Sequence, residues 1–384
     1  MLNCNSRAGK TVRQGSGYLS FIPANVPPTP PITFDGEMIA LLSEADLALG
    51  QLSGIAVILP NPDLFVAMYV KKEAVLSSQI EGIQCTLEEV LEQEMNQSGI
   101  RTKAIGDVVN YVHAMNYGMQ RLSTLPLSLR LLREVHGYLM AGVRGENKDP
   151  GEFRKTQNWI GPQGCTLATA MFVPPPVPEM HQALSNLELF LNDRTSLPLI
   201  VQCAIVHAQL ETIHPFLDGN GRLGRLLISL LLHERNVLKQ PLLYISLYLK
   251  ANRLEYYDRL TDVRVNGNWE GWIKFFLTGL AAVSKEAAAT ALQIVEFREQ
   301  ALRKARAYGK HEVALVDLLV AHPILDIRGA EKLLGCTYAT AAAAMQNLEK
   351  EGCVIETTGQ KRHKKFKFDG YLKLFEGTMS QSGG

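Results

Sequence analysis

A short polar segment, HPFLDGNGRLGR at residues 214–225, separates two apolar stretches and constrains the fold of this 384-residue chain more than any other feature. The stretch before it, Leu199 to Ile213, carries its polar residues in a helical rather than an alternating pattern, and the leucine-rich stretch after it has the length of a buried helix. Glycines let backbone N–H groups approach an anion, and a helix N-terminus adds unpaired donors and a positive dipole end. The segment therefore predicts a helix, an anion-binding turn and a second helix.

The side chains of this segment suit a nucleotide phosphate site. Arg222 and Arg225 offer planar guanidinium groups that match phosphate oxygens, and Asn220 adds a further donor. Asp218 is a hard oxygen ligand of the kind that holds Mg2+ already bridged to phosphates. His214 is the obvious proton acceptor. The glycines expected to admit the anion are Gly219, Gly221 and Gly224.

Two other patterns overlap with this segment. Its three glycines satisfy the G-x-G-x-x-G spacing of dinucleotide-binding proteins, but that pattern requires a preceding strand within a βαβ unit, which the sequence does not suggest. Glu211 and His214 have the E-x-x-H spacing of di-iron helix bundles, which need a second such pair and further glutamates. Both alternatives are therefore disfavoured.

Residues 214–225 resemble the Fic signature, H-P-F-x-D/E-G-N-G-R-x-x-R, at every specified position. The resemblance extends roughly from Pro62 to Leu280. Fic proteins are all-helical enzymes that mostly transfer AMP from ATP to a hydroxyl group of a target protein. The resemblance thus implies a mainly α fold, with ATP as substrate and Mg2+ as cofactor.

The resemblance also implies a role for each residue of the signature. His214 would deprotonate a Ser, Thr or Tyr hydroxyl of the target protein, and Asp218 would hold Mg2+ on the α- and β-phosphates. The Gly219–Gly221 backbone would form the anion hole, with the Asn220 side chain as part of it. Arg225 would meet the γ-phosphate, and Arg222 would contact phosphate or brace the loop.

A second informative stretch, SSQIEG at residues 77–82, lies far upstream. Apolar residues recur at helical steps before it, and Gly82 suits the residue that follows a helix C-terminus. Glu81 would then lie where the helix dipole disfavours an anion, unless a cation answers it. Ser77, Glu81 and Gly82 match the S/T-x-x-x-E-G/N motif of the Fic inhibitory helix. That resemblance implies that Glu81 pairs with Arg225 and keeps the enzyme autoinhibited, while a role in removing AMP stays open.

Residues 154–176 combine turn residues, at 161–164, with an extended apolar segment. Met171, Phe172 and Val173 precede three prolines, and the pattern predicts a β-hairpin. The segment resembles the Fic flap, which holds the target protein by adding a strand. A structural loop with a polyproline exit is the alternative.

Tyr256 and Tyr257, downstream of the signature, are candidates to line an adenine pocket. Aromatic residues at helical spacing more often belong to a core, so packing is the alternative.

The chain beyond residue 311 has a different pattern. Helices are expected at Leu315–Val320, Arg328–Leu334 and Tyr338–Glu351, followed by strands at Cys353–Glu356 and Lys364–Phe368. This order resembles a winged helix. The predicted fold is therefore mainly α: a Fic-type helical core with a β-hairpin flap, plus a small C-terminal winged helix-turn-helix domain.

The C-terminal module offers arguments for and against DNA binding. Its wing is basic and suits phosphates. However, residues 311–384 contain nine Lys or Arg and nine Asp or Glu, and the helix that would read bases is rich in alanine. The sequence therefore favours a protein or dimer contact and keeps a DNA-binding regulator as the alternative function. The basic residues of the wing are Lys361, Arg362, His363, Lys364, Lys365 and Lys367.

Composition supports a globular protein without a strong electrostatic field. Lys plus Arg number 39 against 38 for Asp plus Glu, so neither nucleic acid nor a membrane is indicated by charge. Six cysteines without a C-x-x-C pair, and no long apolar segment, favour a cytoplasmic location. Self-modification, a homodimer and a different phosphate-containing donor are left open, although the intact G-N-G-R motif argues for AMP.

The chain is expected to divide as follows: 1–36, an extended Pro-rich arm; 37–100, a helical region with the inhibitory helix; 101–280, the Fic core; 281–310, a connecting helix; 311–376, the winged-helix-like domain; 377–384, a tail.

Overall fold

The computed structural model describes residues 4–15, 17–58, 62–95, 102–142, 147–162, 164–360 and 363–376. These residues are mainly helical, which confirms the predicted fold class. The helices are α1 (Gly36–Ile58), α2 (Pro62–Ile80), α3 (Leu87–Met95), α4 (Lys103–Arg121), α5 (Leu129–Leu139), α6 (Val177–Asn192), α7 (Leu199–Ile213), α8 (Asn220–Glu234), α9 (Ser246–Ala251), α10 (Arg253–Asn266), α11 (Trp269–Ala305), α12 (Lys310–Ala321), α13 (Ile327–Leu334), α14 (Tyr338–Lys350) and α15 (Asp369–Lys373). The strands are β1 (Cys4–Asn5), β2 (Gly9–Arg13), β3 (Leu19–Pro23), β4 (Ile324–Asp326), β5 (Ile355–Glu356) and β6 (Lys365–Lys367).

The helical body is built around α7, which is buried along all its length after Leu199. A helix that is apolar on every side belongs in a protein interior, where α6, α8 and α11 surround α7. The two helices predicted to flank the signature are α7 and α8, so the functional loop is anchored in the core at both ends.

Two long helices are apolar, contrary to the expectation that the chain has no long apolar segment. Gly36–Val57 of α1 and all of α11 are long and apolar enough to cross a membrane, judged by length and composition alone. A mostly buried core helix passes the same test, and α11 is largely buried. α1 packs along α11.

Residues 4–23 form a three-stranded antiparallel sheet in the order β1-β2-β3, inside the segment expected to be an extended arm. Phe21 of β3 donates a backbone hydrogen bond to the carbonyl of Val173 at 2.9 Å. Its ring lies 6.1 Å from that of Phe172. The sheet thus lies directly against the segment predicted to be the flap.

The C-terminal part follows the predicted order, with two additions. α11 is one continuous helix, so the connecting helix expected at 281–310 begins earlier, at Trp269. Helices α12, α13 and α14 pack on one another, and α13 also contacts a small antiparallel sheet in the order β4-β6-β5. Strand β4 and helix α15 were not expected from the sequence. The winged-helix assignment stays a prediction.

This C-terminal unit packs on α2 and α3, and two lysines of its basic strand form ion pairs there. Lys365 Nζ lies 3.4 Å from a carboxylate oxygen of Glu92, and Lys367 Nζ lies 3.1 Å from one of Glu88. Carboxylates of α3 therefore pair with two of the six side chains expected to contact phosphates. Lys361 and Arg362 lie outside the described residues, and DNA binding stays a prediction.

Candidate active site

The signature loop joins the end of α7 to the start of α8. His214 ends α7 in a left-handed conformation with φ 50° and ψ 60°, and Gly219 precedes α8 with φ 77°. A Cβ at Gly219 would lie 2.7 Å from the sulfur of Met140, so both the backbone angle and the space require glycine. The first N–H groups of α8 have no partner within the helix, which makes this end suited to an anion.

Asn220 braces the loop from inside. Its Oδ1 accepts a hydrogen bond from the Phe216 N–H at 2.9 Å, and its Nδ2 donates to the Phe216 carbonyl at 2.8 Å. The side chain is buried. Both polar atoms of this amide therefore serve the fold of the turn, and its expected contact with the anion stays a prediction.

His136 of α5 contacts two residues of the signature loop, a role that the sequence analysis did not predict. Its ring stacks on that of Phe216 at 3.7 Å. Its Nδ1 accepts from the Gly151 N–H at 2.9 Å, so its Nε2 carries the proton and donates to the Asp218 carbonyl at 2.9 Å. Burial lowers the pKa of His136 to about 4, with Arg222 contributing, which keeps the ring neutral.

Asp218 has the chemistry of a magnesium ligand. Its Oδ1 accepts from the Gly219 N–H at 2.6 Å, and its side chain is only half-buried. The part of the chain that the structure describes contains no cluster of three or more His, Cys, Asp or Glu side chains able to hold a metal. A single carboxylate nevertheless fits Mg2+ that is also bound by substrate phosphates, since this ion usually takes one or two carboxylates there.

Arg222 contacts buried residues of the protein core rather than the loop surface. Arg222 Nη1 donates to Asp107 Oδ1 at 2.7 Å, and both side chains are almost completely buried. Of the two expected roles, bracing the loop is therefore the one that the geometry supports.

A Cβ at Gly224 would lie 3.0 Å from Glu211 Oε1 and 3.2 Å from His207 Nδ1. Gly224 thus permits close packing of α8 on α7, and its expected place at the anion is wrong.

Arg225 is buried and receives two partners from the α2 segment. Its Nε donates to Ser77 Oγ at 2.8 Å, and its Nη2 donates to the Ser77 carbonyl at 3.0 Å and to Glu81 Oε1 at 2.7 Å. The Glu81 carboxylate also lies against Gly221, where an added Cβ would collide with it. A carboxylate oxygen therefore lies beside both the glycine-rich backbone and the Arg225 guanidinium.

The electrostatics of this pair favour both charges. Burial works to raise the pKa of Glu81, but Arg225 outweighs it by charge and hydrogen bond, with help from Arg222 and His214, and the pKa is lowered. Burial likewise disfavours the charged form of Arg225, and Glu81 leads the groups that raise its pKa instead. Arg225 thus supplies the positive charge that Glu81 requires at the end of a helix.

Helix α2 is fixed by buried polar contacts at its middle. Glu73 accepts hydrogen bonds from the Ser246 N–H at 3.1 Å, from the Ser246 hydroxyl and from Tyr111 at 3.3 Å. Burial raises the pKa of Glu73 to about 7. Gly82, with φ 80°, follows the end of the helix as predicted. The position of Glu81 is thus set by the anchoring of the whole helix.

His214 is prepared to accept a proton. Its Nδ1 lies 3.3 Å from the Glu211 carbonyl, and with the Nδ1 proton directed there, Nε2 is the acceptor. Burial lowers the pKa of His214 to about 4, and the cations Arg264 and Arg154 lower it further, against the Glu211 carbonyl and Glu81. The imidazole is neutral at physiological pH.

The predicted flap is held by one antiparallel bridge, between Ile160 and Phe172, rather than by two regular strands. Met171 is 81% exposed, whereas Val173 is buried. The guanidinium of Arg264 lies over the Phe172 ring at 4.1 Å, and its Nε donates to Thr212 Oγ1 at 3.2 Å. Arg264 therefore connects the flap to the end of α7, next to His214.

The two tyrosines differ. Tyr256 is buried and its hydroxyl lies 2.9 Å from His207 Nε2, so it belongs to the core and its expected place in an adenine pocket is wrong. Tyr257 is 39% exposed with Arg253 over its ring at 5.4 Å, and a role in nucleotide binding stays a prediction.

A helical fold with a glycine-rich loop at a helix N-terminus, where the Glu81 carboxylate contacts Arg225, is the arrangement of a Fic-type protein. Residues 39–120 match the Fic/DOC family N-terminal model and residues 126–232 match the Fic/DOC family model. Over this region the chain belongs to the Fic/DOC family.

Curated relatives agree with this family, and a solved structure shares the fold. The chain is 32% identical to a protein adenylyltransferase Fic of Drosophila grimshawi over 173 residues, 42% of this chain and 34% of the relative. It is 29% identical over 190 residues, 48% of this chain, to the one from Culex quinquefasciatus. The match spans about a third of these relatives' length. A Fic family protein of Desulfovibrio desulfuricans shares the fold, with a TM-score of 0.56 at 19% identity, covering 88% of this chain and 97% of that one.

Proposed function

We propose that this protein is a protein adenylyltransferase that transfers AMP from ATP to a hydroxyl group of a target protein. The observation that carries the proposal is the geometry of the signature loop. A neutral histidine with a free Nε2 stands at one end, and a buried arginine held by a displaceable carboxylate stands at the other. The adenylyltransferase names of the relatives support the same activity.

The chemistry follows from these groups. His214 Nε2 takes the proton of the target hydroxyl, whose oxygen attacks the α-phosphorus of ATP. The bond from that phosphorus to the bridging oxygen of the β-phosphate breaks, and pyrophosphate leaves. Negative charge grows on the leaving group, where Arg225 and the N-terminus of α8 neutralise it. Asp218 would hold Mg2+, which would supply further charge neutralisation there.

The same geometry supports autoinhibition by Glu81. Its carboxylate lies on Arg225 and against Gly221, the two groups that we propose bind the γ-phosphate and its neighbours. ATP therefore competes with an anion that is already part of the chain, and binds in a pose unsuited to in-line attack while Glu81 stays in place.

Intact-mass spectrometry tests the proposed reaction. The Glu81→Gly variant, incubated with ATP and Mg2+, is expected to gain the mass of one or more AMP groups, and the wild type much less. Incubation with ADP, which lacks the third phosphate, is the control. A phosphate-sized gain would replace adenylyl transfer by phosphate transfer. With no gain, an array of purified candidate proteins and labelled ATP tests for a target other than the enzyme, and labelling of none contradicts the proposal.

The pH dependence of transfer should report the unusual histidine. A base acts only when unprotonated, so kcat/KM is constant above the pKa of His214 and falls below it. Because that pKa is lowered to about 4, activity should persist well below the ordinary histidine value of 6.5. Removal of Glu81 moves the fall further toward acid, since Glu81 raises the pKa. Circular dichroism at each pH separates protonation from unfolding, and a fall centred at 6.5 or above contradicts the assignment.

A further inference from the structure

The left-handed backbone of His214 leaves its carbonyl outside the hydrogen bonding of α7. The His214 N–H still bonds to the Leu210 carbonyl at 2.9 Å, as in a helix. A left-handed conformation is uncommon for a residue with a side chain, and it persists where the surroundings hold it. The carbonyl that turns away needs donors from elsewhere in the chain.

The segment 154–158 supplies those donors. The carbonyl of His214 accepts from Arg154 Nε at 3.0 Å and from Asn158 Nδ2 at 3.1 Å. The next carbonyl, of Pro215, accepts from the backbone N–H of Arg154 at 2.9 Å. The one after it, of Phe216, accepts from Asn158 Nδ2 at 2.9 Å. Three consecutive carbonyls at the start of the signature are thus bound by two residues.

The other end of the Arg154 guanidinium binds the flap. Its Nη2 donates to the carbonyl of Pro175, where the flap ends, and its Nη1 donates to the Thr156 carbonyl at 3.2 Å. Gln157 Nε2 adds a bond to the Pro174 carbonyl at 2.9 Å. Arg154 is fully buried, so no water competes for these bonds. One side chain therefore connects the histidine backbone to both ends of the flap.

We infer that Arg154, assisted by Asn158, is a positioning residue for AMP transfer, which holds the imidazole of His214 in register with the hydroxyl that the flap presents. The inference rests on the proposed function. The planar fork of an arginine reaches several carbonyls in fixed directions, whereas the single ammonium of a lysine cannot. A displacement of about 1 Å between reacting groups costs roughly a hundredfold in rate.

Three variants in the active Glu81→Gly background test the inference. Arg154→Gln is expected to lower kcat for AMP transfer roughly a hundredfold, the cost of such a displacement, while the Kd for ATP changes less than about twofold. Arg154→Lys keeps the charge without the fork, so kcat should stay low. Asn158→Ala removes one of the two donors to His214 and should lower kcat by a smaller factor, about tenfold.

A matched control comes from the far end of α8. The Arg235 side chain is also largely buried, with 8% of its surface exposed, and it donates to two backbone carbonyls, of Leu191 at 2.7 Å and Asp193 at 3.1 Å. Arg235→Gln removes equivalent bonds away from the histidine, and its kcat should equal that of the parent even where its Tm falls. If Arg154→Gln loses no more activity than Arg235→Gln, the inference is wrong. If Arg154→Gln does not fold, Asn158→Ala decides in the same way.

A measurement without turnover separates this inference from the proposed function. The pKa of His214, followed by NMR in the absence of ATP, should rise in Arg154→Gln, because a nearby cation is lost, and should stay in place in Arg154→Lys and Arg235→Gln. Absence of AMP transfer in the parent variant would count against the proposed function alone. An unchanged His214 pKa in Arg154→Gln would overturn the contact on which the inference depends.

Discussion

Replacing Glu81 by glycine is expected to raise the rate of AMP transfer roughly ten- to a hundredfold. A hydrogen bond to a charged group contributes about 1.5–3 kcal/mol, and each 1.4 kcal/mol corresponds to about a tenfold change. ATP no longer has to displace the carboxylate from Arg225, and the space beside Gly221 becomes free for phosphate. Initial rates of AMP incorporation at several ATP concentrations measure the effect.

The same variant should be less stable without nucleotide, because the buried Arg225 guanidinium loses its anion. ATP with Mg2+ should restore the Tm, since a ligand that binds only the folded state stabilises it. Glu81→Gln, which keeps the shape without the charge, should have an intermediate rate. Glu92→Gln is the matched control, since Glu92 is also a partly exposed glutamate paired with a cation, Lys365. A Glu81→Gly rate equal to that of wild type, with the Tm unchanged, contradicts the inhibitory role.

The sequence predicts the parts of the site that are local. The signature lies between two apolar stretches of helical length, so α7, the loop and α8 follow from residues 199–232 alone. Gly82 marks the end of α2, which places Glu81 at a helix end in need of a cation. That Arg225 is the cation came from the resemblance to the Fic family. The structure places the two side chains together.

The supporting residues could not be predicted because their contacts join distant parts of the chain. Arg154 and His136 bind backbone carbonyls of the signature, and a carbonyl leaves no trace in the sequence. A weaker signal existed for α2, where the apolar pattern breaks near Lys72. Its neighbour Glu73 is the buried anchor of the helix, and Lys72 itself lies over the Tyr244 ring at 4.2 Å.

The structure differs from the expectation at two places, once because of composition and once because of residue spacing. The glycines, serines and prolines of the first 36 residues hide a short alternating pattern, in which strand β3 pairs with β2 and reaches the flap. Tyr256 lies at a spacing shared by core and pocket residues, and its burial beside His207 follows only from how α10 packs. Neither outcome could be derived from a single stretch of sequence.

Replacing His214 by alanine is expected to lower AMP transfer in the Glu81→Gly background by about 10²–10⁴-fold, the usual contribution of a general base. The Kd for ATP should change by less than about twofold, because the proposed phosphate contacts are with Arg225 and the start of α8 rather than with the imidazole. Among the described residues the His214 side chain makes one hydrogen bond, a long one of 3.3 Å to the Glu211 carbonyl, so its loss should leave the loop folded. Quenched-flow transfer rates and calorimetric titration with ATP measure the two quantities separately.

His214→Asn provides the control for the backbone. Asparagine adopts the left-handed conformation more readily than most residues, yet its amide is not a base at neutral pH. Both variants should therefore lose transfer to a similar extent, although the asparagine variant should unfold at a higher temperature than the alanine variant. A His214→Asn protein that transfers AMP at a tenth of the parent rate or better would mean that another group removes the proton. Loss of ATP binding in both variants would move His214 from the chemical step to the binding of the nucleotide.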